Sequence, residues 1–218
     1  LICGLCLFAG YAFQNYGLMQ TTPSKSAFIT SVSVILVPVL LSVFRIKKVD
    51  FKIWVSVSLA TIGLYVLLNP SGGEINIGDI LTFGCALSFA IHIIAQDYYL
   101  SKGSSIARLF LSQVMFVSLF SSLSVFIFES PEIIISQRLI IAILVTGFLA
   151  TFVAILLMVW AQTILNANQT ALLLSLEPVF AALFSTTFAG EILGVYGWVG
   201  GMIVVLGIIS SEFSLIKK

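Results

Sequence analysis

NQTALLLSLEPVFAALFSTTFAGEILGVYGWVGGMIVVLGIIS, residues 168–210, is the stretch that decides the fold. Two apolar runs lie back to back, parted only by Ala189-Gly190-Glu191. The first of them holds an isolated acid, Glu177, followed at once by Pro178. A water-soluble domain would hardly bury so much Leu, Phe and Val around one unpaired carboxylate. A pair of membrane-spanning helices with a functional polar spot accommodates it.

The rest of the chain repeats this character. Of 218 residues, 60% are hydrophobic and only 9% are charged, against about 25% charge in an ordinary soluble domain. The mean hydropathy is +1.16. These values exclude a soluble globular protein and a disordered one. The runs are apolar on every face for about 18 to 24 residues, as a helix in lipid requires. A transmembrane β-barrel would alternate polar and apolar residues instead. The net charge of +1 leaves no footprint for nucleic acid. The expected class is therefore an all-α, multi-pass membrane protein whose first partner is the lipid bilayer.

Eight spans are expected, at about 1–20, 26–44, 53–68, 77–96, 106–128, 139–162, 170–188 and 192–211. The connections between them are short and carry turn chemistry, as in Thr21-Thr22-Pro23-Ser24 and Asn69-Pro70-Ser71-Gly72-Gly73. Basic residues collect in alternate connections. Arg45, Lys47, Lys48, Lys52, Lys102, Arg108, Lys217 and Lys218 fall on one side, and Lys25 and Arg138 on the other. This asymmetry predicts a cytoplasmic C-terminus in a plasma or inner membrane.

A shift of 144 residues superimposes the pattern on itself. Phe8 meets Phe152, Ala27 meets Ala171, Ser31 meets Ser175, Phe44 meets Phe188, Trp54 meets Trp198 and Gly63 meets Gly207. The basic loop 45–48 then falls on 189–192, which lacks a basic residue and holds Glu191. The same apolar pattern is thus expected to lie in the membrane twice, with opposite orientation. An inverted repeat needs an odd number of spans per copy. Residues 77–212 supply five and residues 1–69 supply three. About two further helices are therefore expected ahead of Leu1, making ten spans in the whole protein. The chain is accordingly read as N-terminally truncated.

Polar residues inside the spans are the functional candidates. Glu177 must be protonated, paired or facing water, because an isolated charge there costs about 3 kcal/mol even on a lenient scale. It is read either as an acid that carries a coupling proton or contacts substrate, or as a neutral carboxyl bonded to a neighbouring helix. Pro178 and Pro38 are expected to bend their helices by removing backbone donors. Gln14 is the deepest amide of the first span. His92 is the sole histidine, so it cannot build a metal site. It can titrate in a pore, or make an interhelical hydrogen bond. Lys25 is expected to snorkel to the headgroups. Gly194, Gly197 and Gly201 share one stripe of the last span. They are expected to pack inside the bundle, with a homodimer through that helix as the alternative. Cys3-x-x-Cys6 and Cys85 lie within apolar runs and are read as inert thiols. The sequence carries no nucleophile constellation, phosphate loop or metal-ligand cluster, so neither an enzyme nor a cofactor is expected.

Two stretches carry a family resemblance. They are QTTPSKSAFITSVSVILVPVLLSVF at 20–44, and TALLLSLEPVFAALFSTTFAGEILGVYGWVGGMIVVLGIIS at 170–210. Their S-L-E-P-V-F segment, the G-E before the last helix and its G-W followed by two glycines resemble the EamA-type branch of the drug/metabolite transporter superfamily. The resemblance implies two inverted five-helix repeats, of which this chain would hold helices three to ten. It also implies a central cavity between the repeats. Spans one, two, four, six and seven would line that cavity here, bringing Gln14, Ser33, His92, Gln162 and Glu177 to it. The function so implied is secondary transport, often outward, of small metabolites such as amino acids or drug-like compounds. With no nucleotide-binding loop, the energy is expected from a gradient, of protons or of the solute itself. The alternative is a truncated membrane scaffold that transports nothing.

Overall fold

A computed structural model describes residues 1–69, 74–128, 135–188 and 194–212. Among these residues every element is helical. In chain order the helices are α1 (Ile2–Leu18), α2 (Pro23–Ser31), α3 (Ser33–Val43), α4 (Phe51–Leu68), α5 (Ile77–Ser101), α6 (Ile106–Phe128), α7 (Gln137–Ala161), α8 (Ala167–Leu174), α9 (Glu177–Phe188) and α10 (Val195–Glu212). Residues Leu144–Val153 of α7 form a π-helical segment.

Six helical stretches are long and apolar enough to cross a membrane: Lys25–Val43, Phe51–Leu68, Ile77–Ser101, Ile106–Ile127, Gln137–Ala161 and Ala167–Phe184. Val195–Ser210 is a shorter apolar helix, and α1 has 17 residues.

Local chemistry sets the helix ends. Pro23 sits in the first turn of α2, where its missing N–H is no loss, and the Thr22 hydroxyl accepts from the Lys25 N–H. Asn76 and Asp79 form a reciprocal capping box at the start of α5, with both bonds at 3.0 Å. Asn166 and Gln169 do the same for α8. At the far end of α5 the chain turns through Gly103, whose φ of 84° suits only glycine without strain.

Two long helices are interrupted within their length. The first breaks at Val32, between α2 and α3, where the Val32 N–H bonds back to the Ile29 carbonyl. The second breaks at Ser175 and Leu176, between α8 and α9, where the Leu176 N–H bonds to the Leu173 carbonyl. At both places the i→i+4 ladder tightens to i→i+3. Neither interruption falls on a proline. Pro38 is buried well inside α3. Pro178 lies in the first turn of α9, where proline costs no hydrogen bond. Val32 and Leu176 stand 144 residues apart, as do the bounds of α4 and α10.

α4 and α10 make the most extensive helix pair in the molecule. They run antiparallel. Gly63 faces Val204 and Gly200, Gly207 faces Ala60 and Ser56, and the Ser56 and Ser210 hydroxyls meet at 2.8 Å. A methyl group on Gly63 would lie 2.8 Å from the Gly200 carbonyl oxygen, and one on Gly200 would lie 2.7 Å from the Gly63 carbonyl oxygen. The contact is reciprocal. Gly63 meets residue 200 as Gly207, 144 residues on, meets residue 56. Gly63, Gly200 and Gly207 thus carry a close approach of the two backbones. A methyl on Gly194 would meet open space, and one on Gly201 only an ordinary contact 3.6 Å away with Val179.

The outer surface is strongly apolar: Phe51, Phe126, Leu111 and Met202 are among many large side chains left exposed. Two clusters pack inside. Val37, Leu41, Ala60, Ile93 and Leu172 form one, and Leu7, Phe110, Ile155 and Val159 the other.

Two ion pairs clamp α5 at its ends. Lys25 Nζ lies 2.6 Å from Asp79 Oδ2, with side-chain exposures of 19% and 6%. The Thr21 hydroxyl also donates to Asp79, at 2.7 Å. Lys25 is thus held inward by a carboxylate instead of snorkelling to headgroups. Lys47 Nζ lies 2.6 Å from Asp97 Oδ2, with the lysine half exposed. Eighteen residues of helix place the two carboxylates about 27 Å apart, close to the thickness of a hydrocarbon core.

Two outcomes follow from this packing. Gly200→Ala should lower the melting temperature of detergent-purified protein by an overpacking cost of about 1–3 kcal/mol, while Gly194→Ala leaves it unchanged. Asp79→Asn should cost about 3–5 kcal/mol by stranding Lys25, whereas Lys25→Met combined with Asp79→Leu costs less than Asp79→Asn alone. Thermal denaturation of the four variants checks both.

Candidate functional site

A cavity of about 330 Å³ opens among α1, α2, α3, α5, α7, α8 and α9. It gathers four of the five candidate side chains: Gln14 from α1, Ser33 from the start of α3, His92 from α5 and Glu177 from the start of α9. Both helix interruptions face it, since Ser31 and Ser33 flank the first and Ser175 and Glu177 flank the second. Glu177 is exposed at the cavity wall. Its carboxylate sits in the first turn of α9, where a negative charge suits the helix dipole. Tyr11 and Phe89 add aromatic surface, their rings edge to face with centroids 6.0 Å apart.

Gln162 does not reach this cavity. It is buried behind it, at one end of a chain of side chains. Gln162 Nε2 donates to the Ile93 carbonyl at 3.2 Å. Gln96 Nε2 donates to Gln162 Oε1 at 2.5 Å, and Gln113 Nε2 donates to Gln96 Oε1 at 3.0 Å. Gln113 Oε1 then lies 2.5 Å from His92 Nε2. The orientation of each amide is determined by the next. A backbone carbonyl can only accept, so Gln162 must turn its nitrogen to Ile93 and its oxygen to Gln96. Gln113 is anchored a second time, by donation to the Leu109 carbonyl at 3.2 Å. The last link then requires a proton on His92 Nε2, which leaves Nδ1 as the nitrogen outside the chain. His92 is 1% exposed, and Gln96 and Gln113 are fully buried. One ring thus makes an interhelical hydrogen bond and also stands in the cavity lining.

Sequence reasoning passed over Gln96. The signal was present: His92 and Gln96 stand four residues apart and share a face of α5. It also passed over Tyr11, Phe89 and Thr30, which in a sequence look like ordinary span residues. Ser31 and Ser175 entered only as a matched pair of the repeat, and the structure places both on the cavity. Asn15 and Gln20, the other polar residues of the first span, are exposed away from it. Among the described residues no group of His, Cys, Asp or Glu is arranged to hold a metal ion.

Six helices apolar and long enough to cross a bilayer, packed around a largely apolar cavity with a few polar side chains, define a multi-pass helical membrane protein. Residues 76–211 match the model of the EamA-like transporter family, and the chain belongs to that family. An uncharacterized transporter of Archaeoglobus fulgidus is 35% identical over 213 residues, covering 94% of this chain and 66% of that protein. An S-adenosylmethionine uptake transporter of Rickettsia felis is 33% identical over 117 residues, 53% of this chain and 39% of that protein. This chain thus spans less than two thirds of the length of these relatives. A crystal structure of another protein aligns over 97% of this chain and 76% of its own, with a TM-score of 0.83 at 16% identity, a likeness of fold alone.

Gln113→Leu should remove the middle of the amide chain and strand His92 and Gln96, at about 1–3 kcal/mol for each buried group left unpaired. Nitrogen-15 spectra of His92 should show the Nε2-protonated tautomer in the parent protein and lose that preference in the variant.

Proposed function

We propose that this chain is the greater part of a secondary transporter in the plasma or inner membrane, with its C-terminus in the cytoplasm. It carries a small metabolite by alternating access between two inverted repeats. The repeats are residues 1–69, completed by further helices, and residues 77–212. The observation that carries this reading is the reciprocal antiparallel contact of α4 and α10. Helices 144 residues apart in sequence meet each other through equivalent positions, Gly63 on residue 200 and Gly207 on residue 56. Self-complementary contact of that kind is what a two-fold relation produces. With the axis in the membrane plane, it is the architecture of inverted-repeat carriers. The matched interruptions at Val32 and Leu176, both at the cavity, support the same relation.

In this mechanism the cavity stays near the midplane while one repeat rocks against the other. A solute gradient or protons supply the energy. Gln14, Ser33, His92 and Glu177 contact the solute. Gln162 acts from behind, through the amide chain that holds His92. Because two relatives are named for S-adenosylmethionine uptake, that compound is a solute to test first, alongside amino acids and drug-like compounds.

The full-length protein in proteoliposomes should exchange labelled solute for unlabelled solute across the membrane without added energy. Single-cysteine labelling should find positions 47 and 217 on the same face. Absence of any exchange across a metabolite panel would reject the carrier. Labelling on opposite faces would reject the inverted repeat.

A further inference from the structure

We infer that the solute seated in this cavity is an organic monocation, an ammonium or related onium centre on an apolar body, with its charge held at Glu177. The inference rests on the carrier reading for its setting and goes further by naming the class of ligand.

The first argument is an imbalance of charge. Three carboxylates stand in the spans of the described residues. Asp79 and Asp97 each have a lysine 2.6 Å away. Glu177 lines the cavity, and no lysine or arginine lines it with Glu177. A carboxylate placed in a low-dielectric site needs a positive partner or a proton. Among the described residues each carboxylate at the ends of α5 has a lysine, and no lysine or arginine lines the cavity beside Glu177.

The second argument concerns hydroxyl protons. Ser31 Oγ donates to the Ala27 carbonyl at 2.7 Å, and Ser175 Oγ donates to the Leu172 carbonyl at 2.6 Å. Each hydroxyl has spent its one proton on its own helix, so only oxygen lone pairs remain to be offered. At these two positions a cation finds partners, while Gln14 and the unpartnered Thr30 hydroxyl on the same wall keep protons for other parts of the ligand.

The third argument is the aromatic pair. Tyr11 and Phe89 line the same cavity and meet edge to face, and ring faces attract onium centres. The proton is the smallest cation that would satisfy Glu177. The aromatic surface and a volume of about 330 Å³ are what call for a larger body.

The test is binding, measured apart from flux, on full-length protein purified in detergent. Calorimetric titrations compare choline with two molecules of the same shape, uncharged 3,3-dimethylbutan-1-ol and anionic 3,3-dimethylbutanoate. Choline should bind most tightly and the anion least. Glu177→Gln should weaken choline by about tenfold or more, the scale of a lost charged partner, and move the alcohol by less than about twofold. Glu177→Asp keeps the charge and should keep the preference, which separates charge from misfolding. Choline binding no tighter than the alcohol, or a cation preference that survives Glu177→Gln, overturns the inference. Protein that selects choline yet exchanges no solute in proteoliposomes leaves this inference standing and removes the carrier. Protein that exchanges solute without a charge preference does the reverse.

Discussion

Lipid cannot hydrogen-bond, and this structure is arranged around that fact. Inside a bilayer each polar side chain must be satisfied by another part of the protein or by a water-filled space. The chain meets the demand in three ways. Its ion pairs stand at the two ends of α5, about one hydrocarbon thickness apart. Its amides link into one buried chain from Gln162 through Gln96 and Gln113 to His92. The third carboxylate within the spans of the described residues, Glu177, opens onto the cavity. The apolar side chains, which would form the core of a soluble protein, cover much of the outside instead.

The same constraint explains how the helices hold together. Lipid tails are as apolar as leucine, so burying leucine between helices gains little. Association comes from close packing and from polar contacts. α4 and α10 use both, with Gly63, Gly200 and Gly207 bringing the backbones together and Ser56 meeting Ser210. α1 approaches α5 by the same device, for a methyl on Gly78 would lie 2.8 Å from the Gly17 carbonyl oxygen. Small residues at such crossings are structural necessities, and they account for much of the spacing that a reader of the sequence sees as pattern.

The site inherits its chemistry from this frame. The interruptions at Val32 and Leu176 bring polar side chains to the wall without exposing long stretches of backbone, because tightened i→i+3 bonds take over locally. Two of those side chains, Ser33 and Glu177, occupy equivalent places 144 residues apart. One is a hydroxyl and the other an acid. Positions matched by the 144-residue spacing thus carry chemically unlike groups.

By itself the sequence determined the solvent, the helical class, the family and the existence of Glu177 as an acid that needs an explanation. Each of these depends on composition or on local pattern, which are properties of the chain before it folds. The 144-residue spacing was equally legible, because it lies in the order of residues along the chain. Only the tertiary structure decided which polar residues share a space. Gln14, Ser33, His92 and Glu177 lie far apart in the chain and meet at one cavity, while Gln162 turns away to serve His92 from behind. It also set a tight glycine seam at Gly63, Gly200 and Gly207, and it paired Lys25 with Asp79. These outcomes depend on the rotation of each helix about its axis and on what stands opposite. Apolar runs that are uniform on all faces carry almost no record of either.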